Sequence, residues 1–73
     1  MPIREVVHGA HVILVDPLQR EDHRWFARFQ ICRAGQVVCD WESVEMPEGF
    51  ISPQLAISAS VLLAEQRLAH LPH

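Results

Sequence analysis

The sequence predicts an α+β fold: a three-stranded antiparallel β-meander with one carboxy-terminal helix packed on one face. Segments with the two-residue alternation of strands come first, and a single segment with helical periodicity follows them. The chain has 73 residues, and a chain of this length buries only about 60% of the surface that it exposes when unfolded. We therefore expect one small domain over residues 1–73, with a modest core and no deep cleft.

The first predicted strand runs from His11 to Val15, where every position after the histidine is apolar. Pro17 is expected to end this strand, because proline cannot donate a hydrogen bond to a sheet. The polar residues 19–23 then predict an exposed loop. Residues Ile3 to Val7 have the composition of a further short amino-terminal strand. Gly9 separates this segment from the strand that begins at His11 and fits either a bulge or a tight turn. Whether they form a separate strand stays open at this point.

Two alternating segments follow and predict a hairpin. The apolar positions are Trp25, Ala27, Phe29 and Ile31 in the first segment, and Val37, Cys39 and Trp41 in the second. Both tryptophans are expected in the core, where large side chains help a small domain to bury enough surface; the alternative is that they form a stacking platform for a ligand. Phe26 falls out of phase with these positions and is expected on the open face of the sheet.

Two registers are open for this hairpin. A two-residue turn at Ala34 and Gly35 would place the carboxylate of Asp40 opposite Phe29. A three-residue loop over residues 33–35, with Gly35 in the left-handed conformation, keeps the apolar sides together. We therefore predict the three-residue loop. This register pairs Ile31 with Val37, Phe29 with Cys39, Ala27 with Trp41, and Arg28 with Asp40.

The helix is predicted from local signals at its start. Ser52 can cap the helix and Pro53 suits its first position, and we expect it to run to about His70 and to stop before Pro72. One apolar seam is predicted to lie on the sheet; it comprises Ile57, Val61, Ala64, Leu68 and Leu71. A second apolar group lies roughly on the opposite side and comprises Leu55, Ala59, Leu62 and Ala69.

A helix that packs on one face of a sheet needs only one apolar face, so the second apolar group has no predicted contact within the domain. Leu55, Leu62 and Ala69 are therefore the predicted interface, with Phe26 on the open sheet face as a second candidate. The alternative is that the amino-terminal segment wraps this side of the helix within one monomer. A homodimer or a protein partner is the expected outcome.

No arrangement of residues predicts catalysis, a cofactor or a metal site. His8 and His11 are separated by Gly9, and no thiol or carboxylate recurs at a ligand spacing beside them or beside His23. Cys39 is predicted on the core side, where a thiol is inert. Neither a serine-nucleophile motif nor a glycine-rich phosphate loop is present. We expect no enzyme activity, no bound cofactor or metal, and no small-molecule substrate.

The charge balance argues against nucleic acid as the partner. Six basic and nine acidic residues give a formal net charge of −3, whereas phosphate contacts carry most of the affinity in nucleic-acid binding. The sequence has no apolar stretch of membrane-spanning length and no signal-peptide pattern. Cys32 and Cys39 are predicted on opposite faces of the sheet and therefore reduced. A cytoplasmic location is expected.

Several short motifs resemble a group of small, uncharacterised bacterial proteins with a β-β-β-α layout. They are His-Gly-x-His at residues 8–11, Arg-Trp-x-Ala at residues 24–27, the turn at Gly35, and Phe50-x-Ser52 before a helix with Ala56, Ala59 and Ala64. The resemblance covers most of the chain and implies a fold, without assigning any functional residue.

The chain also looks distantly similar to the HicB-type antitoxin domain, whose meander and helix bind a small toxin ribonuclease. The turn and helix entry of that family appear here only as residues 46–49 and 52–54, and no DNA-binding segment is recognised after the helix. The sequence therefore predicts a small cytoplasmic, non-enzymatic binding or adaptor protein that acts as a homodimer or through another protein. A HicB-like antitoxin that neutralises a toxin is the alternative, followed by a nucleic-acid-binding module.

Overall fold

The computed structural model describes residues 2–71 and has an antiparallel sheet followed by one helix. The predicted α+β class is confirmed, but the sheet has four strands rather than three. The elements are β1 (Arg4–His8), β2 (His11–Gln19), β3 (Trp25–Arg33), β4 (Gln36–Ser43) and α1 (Pro53–Ala69). The strands lie in the order β1-β2-β3-β4, so each strand pairs with its neighbour in the chain.

The amino-terminal segment is the fourth strand. It pairs with β2 along its whole length, from Arg4 opposite Val15 to His8 opposite His11. Gly9 has a φ of +62° and lies in the two-residue connection between these strands, so it belongs to a tight turn and not to a bulge. This strand lies in the sheet and does not wrap around the helix, which removes the predicted alternative of an amino-terminal cover.

The prediction that Pro17 ends its strand is wrong. β2 continues to Gln19, and Pro17 lies opposite Ala27 of β3. The β1 pairing reaches β2 only as far as Val15, so beyond that residue no other strand within residues 2–71 pairs with this side of β2. Proline is tolerated in such a position because its missing N–H would have no neighbouring strand to bond. The side chain of Pro17 is fully buried.

The predicted three-residue loop between β3 and β4 is also wrong. Arg33 pairs with Gln36, which leaves a two-residue turn with φ values of 51° at Ala34 and 77° at Gly35. Positive φ at both central positions is the type I′ geometry, whose twist matches that of the flanking strands. The left-handed conformation predicted for Gly35 is therefore shared by Ala34.

Two irregularities in β4 first change and then restore the phase that this turn imposes. Ile31 lies opposite Cys39, and Phe29 lies opposite Glu42, with register shifts on both sides of Ile31. An extra residue in one strand exchanges the faces of all the side chains that follow it. The predicted pairs Ile31–Val37, Phe29–Cys39 and Ala27–Trp41 are therefore not formed.

The faces of β4 also differ from the prediction. Cys39 packs against the core as expected, but Trp41 lies on the open face, where the Arg28 guanidinium stacks over its ring. Trp25 is the tryptophan that packs against the core.

The helix begins as predicted. The Leu55 backbone N–H donates to the Ser52 Oγ at 3.2 Å, and Pro53 is the first helical residue. The helix ends at Ala69, with His70 as its cap, one residue earlier than expected; Pro72 lies outside the described residues. Within residues 2–71, no helix is both long enough and apolar enough to cross a bilayer.

The helix packs on β2 and β3 through small side chains. Ala56, Ser60 and Ala64 recur at every fourth position, and all three are 0% exposed. Ile57 and Ala64 of the predicted seam are buried, whereas Val61 and Leu68 lie beside the core and are only half-buried. The buried core comprises Ile13, Val15, Ala27, Phe29, Ile31, Ala56, Ile57 and Ala64.

The connection from β4 to α1 is fixed at the beginning of β3. Trp25 and Phe50 exchange two backbone hydrogen bonds of 2.8 Å. Gly49, with a φ of +74°, lies so close that a Cβ there would stand 2.8 Å from the Arg24 Cβ and 3.2 Å from the Trp25 carbonyl oxygen. Glycine is therefore required at this position for both its conformation and its size.

Candidate interaction surfaces

The face of the sheet opposite the helix carries a row of small apolar side chains that crosses all four strands. Val7 lies opposite Val12, Val12 opposite Cys32, and Cys32 opposite Val37. The outer members are well exposed, at 74% for Val7 and 53% for Val37. The row is continuous because paired residues of neighbouring strands point to the same face.

A second apolar group occupies the other end of this open face. Leu18 lies opposite Phe26, and the guanidinium carbon of Arg20 stands 4.2 Å from the centre of the Phe26 ring. Leu18 is 48% exposed, and Phe26 is half-buried. The position predicted for Phe26, on the open face, is thus the one observed.

A paired charge separates the two apolar groups. The Arg28 Nε donates to the Asp16 Oδ2 at 3.0 Å, and the Arg28 guanidinium carbon lies 4.5 Å from the centre of the Trp41 ring. The predicted pairing of Arg28 with Asp40 is wrong, because the bulged β4 places Ser43 opposite Arg28. The Asp40 carboxylate instead accepts hydrogen bonds from the Gln30 Nε2 at 3.1 Å and from the Trp41 backbone N–H at 2.8 Å.

We call this side of the sheet the open face. It consists of the apolar row, the pair at the other end and the residues between them: Val7, Val12, Cys32 and Val37; Leu18 and Phe26; and Leu14, Asp16, Arg28 and Trp41. Sequence reasoning identified only Phe26 as a candidate here. The unused signal was the unbroken apolar run Val12 to Val15, because a strand with one wet face alternates and a strand with two apolar faces does not.

The predicted helix interface lies on the other side of the molecule. Leu55 is 48% exposed, Leu62 is 62% exposed, and Ala69 is also exposed. All three lie on α1, so the sheet separates them from Phe26. The structure therefore does not unite the predicted interface residues in one patch, and the role of the helix group stays a prediction.

A shallow groove separates the carboxy-terminal half of α1 from β4. Arg67 closes it with a two-pronged ion pair: its Nε and Nη2 donate to the two carboxylate oxygens of Glu42 at 3.0 and 2.7 Å. The hydrogen bonds from Arg67 lower the pKa of Glu42 below its ordinary value of 4.5, and the same contact raises the pKa of Arg67. The pair therefore joins the helix to β4 through a charge-assisted contact with two hydrogen bonds.

The residues with metal-binding or nucleophilic side chains lie apart. His8 contacts Glu65 of α1, with 3.5 Å between Nε2 and Oε2, but no group of three or more His, Cys, Asp or Glu side chains within residues 2–71 is arranged to hold a metal ion. Cys32 and Cys39 are both free and lie on opposite faces of the sheet, as predicted. The Cys32 Sγ is 3.8 Å from the Gln30 Oε1.

Comparison of the chain with protein-family models, with curated proteins and with solved structures finds no match. The resemblance to small bacterial β-β-β-α proteins and to HicB-type antitoxins therefore stays a prediction.

Proposed function

We propose that this chain is a small cytoplasmic, non-enzymatic binding or adaptor protein that acts through protein–protein contacts at its open face. The observation that carries the proposal is the apolar row from Val7 to Val37, which crosses the whole sheet on the side away from the helix. Contiguous apolar surface beyond a few hundred Å² is rare on monomeric proteins and marks interaction sites.

The open face is favoured over the helix group by its extent and its aromatic side chains. The helix group has two large apolar side chains, Leu55 and Leu62, separated by two helical turns. The open face combines aliphatic side chains with two aromatic ones, Phe26 and Trp41, and aromatic residues are enriched at the centres of protein interfaces.

The polar groups of the open face support binding rather than chemistry. Arg28 is held between Asp16 and the Trp41 ring. A side chain that is both paired and stacked is preorganised as a contact, and an arginine in this setting is a common anchor of protein interfaces.

The test is affinity purification of the tagged chain from its native cytoplasm, with mass-spectrometric identification of the proteins that it retains. Val37→Glu places a carboxylate on the open face at an exposed position, where it should leave the fold intact. Leu62→Glu makes the same change on the helix and serves as the matched control. We expect Val37→Glu to lose the retained protein and Leu62→Glu to keep it. Loss with Leu62→Glu alone would refute the assignment of the contact to the open face.

A further inference from the structure

We infer that the occupant of the open face is a second copy of this chain, packed sheet against sheet. The inference rests on the proposed function and names the partner of that surface. Two sheets that pack through apolar faces form a core about 10 Å thick, as in β-sandwiches. The dimer would thus complete a layered structure of helix, sheet, sheet and helix, in which each sheet is covered on both faces.

The size of the open face fits such a dimer. Four strands about 4.8 Å apart, the longest with nine residues, give a face roughly 19 Å wide and 30 Å long. A standard interface buries about 800 Å² on each partner, which is close to one sixth of the 4957 Å² that this chain exposes. The corrugated open face supplies an area of that order without any contribution from the helix.

The two edges of the sheet are poorly suited to the other common way of joining sheets. β4 carries two register irregularities, and the Trp41 N–H within it is already bonded to the Asp40 carboxylate. β1 has only five residues and carries Arg4 and Glu5. Bulges, short strands and charged side chains all discourage strand addition at an edge, so association through the face is favoured over association through an edge.

The charges of the open face are compatible with a copy of itself. A chain with a net charge of −3 repels its copy unless the contact surface is locally balanced. Asp16 and Arg28 neutralise each other at the centre, and the Asp16 side chain is only 13% exposed. The further acidic residues of this face, Glu5 and Asp40, lie outside the apolar row: Glu5 lies opposite Leu14, and the Asp40 carboxylate accepts hydrogen bonds from the Gln30 Nε2 and the Trp41 backbone N–H.

The test is the mass of the purified chain in solution across the micromolar range, measured by sedimentation equilibrium. We expect twice the 8.3 kDa of one chain. Val37→Glu should raise the dissociation constant at least about tenfold, because it buries an unpaired carboxylate in the interface. Leu62→Glu, the control on the helix, should leave it unchanged. Circular dichroism melting verifies that both variants are folded.

A second measurement needs no substitution. Cys32 lies in the middle of the apolar row, so its alkylation by a maleimide should slow as the concentration of the chain rises into the dimer range. Alkylation of Cys39, which packs against the core on the other side of the sheet, should not depend on concentration. Slower alkylation of Cys32 alone would support the inference.

A monomer at every concentration with constant Cys32 alkylation would overturn the inference, as would a dimer that only Leu62→Glu dissociates. The first result leaves the proposed function to be decided by the affinity purification, where a different protein lost with Val37→Glu would still support it. The second result contradicts the open face as the contact surface in both proposals.

Discussion

Replacing Ser60 with alanine is expected to make the protein more stable. The Ser60 side chain is 0% exposed on the sheet-facing side of α1, and within residues 2–71 its hydroxyl has no hydrogen-bond partner. A buried hydroxyl without a partner costs about 1–3 kcal/mol. Serine in a helix is also about 0.5 kcal/mol less favourable than alanine. The free energy of unfolding should therefore rise by about 1–3 kcal/mol, after a small loss for the vacated space.

Ser58→Ala is the matched control, because Ser58 lies on the same helix but is exposed. It changes helix propensity alone and should add only about 0.5 kcal/mol. Urea denaturation followed by tryptophan fluorescence measures both variants, and the slope of the transition should stay constant. In thermal melts, each kcal/mol corresponds to about 4–8 °C for a domain of this size. If Ser60→Ala gains no more than Ser58→Ala, the buried hydroxyl costs nothing and the reasoning is wrong.

Three further predictions concern packing, conformation and charge. Ala64→Leu should destabilise the fold by about 1–3 kcal/mol in urea denaturation, because the helix lies too close to the sheet for a larger side chain; an unchanged midpoint would show that the helix can move away freely. Gly49→Ala should lower the free energy of unfolding by about 1–3 kcal/mol through backbone strain and steric overlap. Gly9→Ala should lower it less, because a Cβ there would meet no atom within 4 Å. Equal losses of stability in the two variants would contradict the steric contribution at Gly49. Glu42→Gln should lower the melting temperature at neutral pH by up to about 5 °C. Arg67 lowers the folded pKa of Glu42 below 4.5. The difference in melting temperature between Glu42→Gln and the unchanged protein should therefore fade as the pH falls below 4.5 and through the folded pKa. A difference that persists in acid would refute the ion-pair explanation.

The helix could be predicted from sequence because its signals are local. Ser52 and Pro53 define its start within two residues, and the observed hydrogen bond to the Ser52 Oγ is the one that a serine cap makes. The most buried face was harder to locate. Ala56 and Ser60 are small, so hydropathy gives them little weight, yet their smallness is what brings the helix against the sheet.

The register of the last hairpin could not be predicted from local patterning. The predicted register depends on uninterrupted pairing of β3 and β4, which requires the turn that keeps the apolar positions aligned. The structure uses the shorter turn at Ala34 and Gly35. One irregularity in β4 brings Cys39 to the core side, and the second leaves Trp41 on the open face. A bulge is set by packing across the whole sheet and has no local signature strong enough to compete with regular alternation. The prediction of Trp41 on the core side is wrong for the same reason.

The surface for the proposed contact was only partly predictable. The phase of Phe26 within its own strand predicts its place on the open face. Val7, Val12 and Val37 form one apolar surface only when the four strands are paired side by side. Their partners across the sheet lie in other segments of the chain, so no periodicity within one segment reports the row. The exposed leucines of the helix were easier to recognise because they share one segment.

The order of the strands has a consequence for how the chain folds. Each strand of the sheet pairs with its neighbour in sequence, so the sheet can grow by successive closure of short loops, at little cost in chain entropy. The helix contacts mainly β2 and β3, and its residues are synthesised after all four strands. Until residues 53–69 have been synthesised, Phe29 and Ile31 have no helix to cover them, and both faces of the nascent sheet are apolar. The interval before the helix docks is therefore the stage at which aggregation competes most directly with folding.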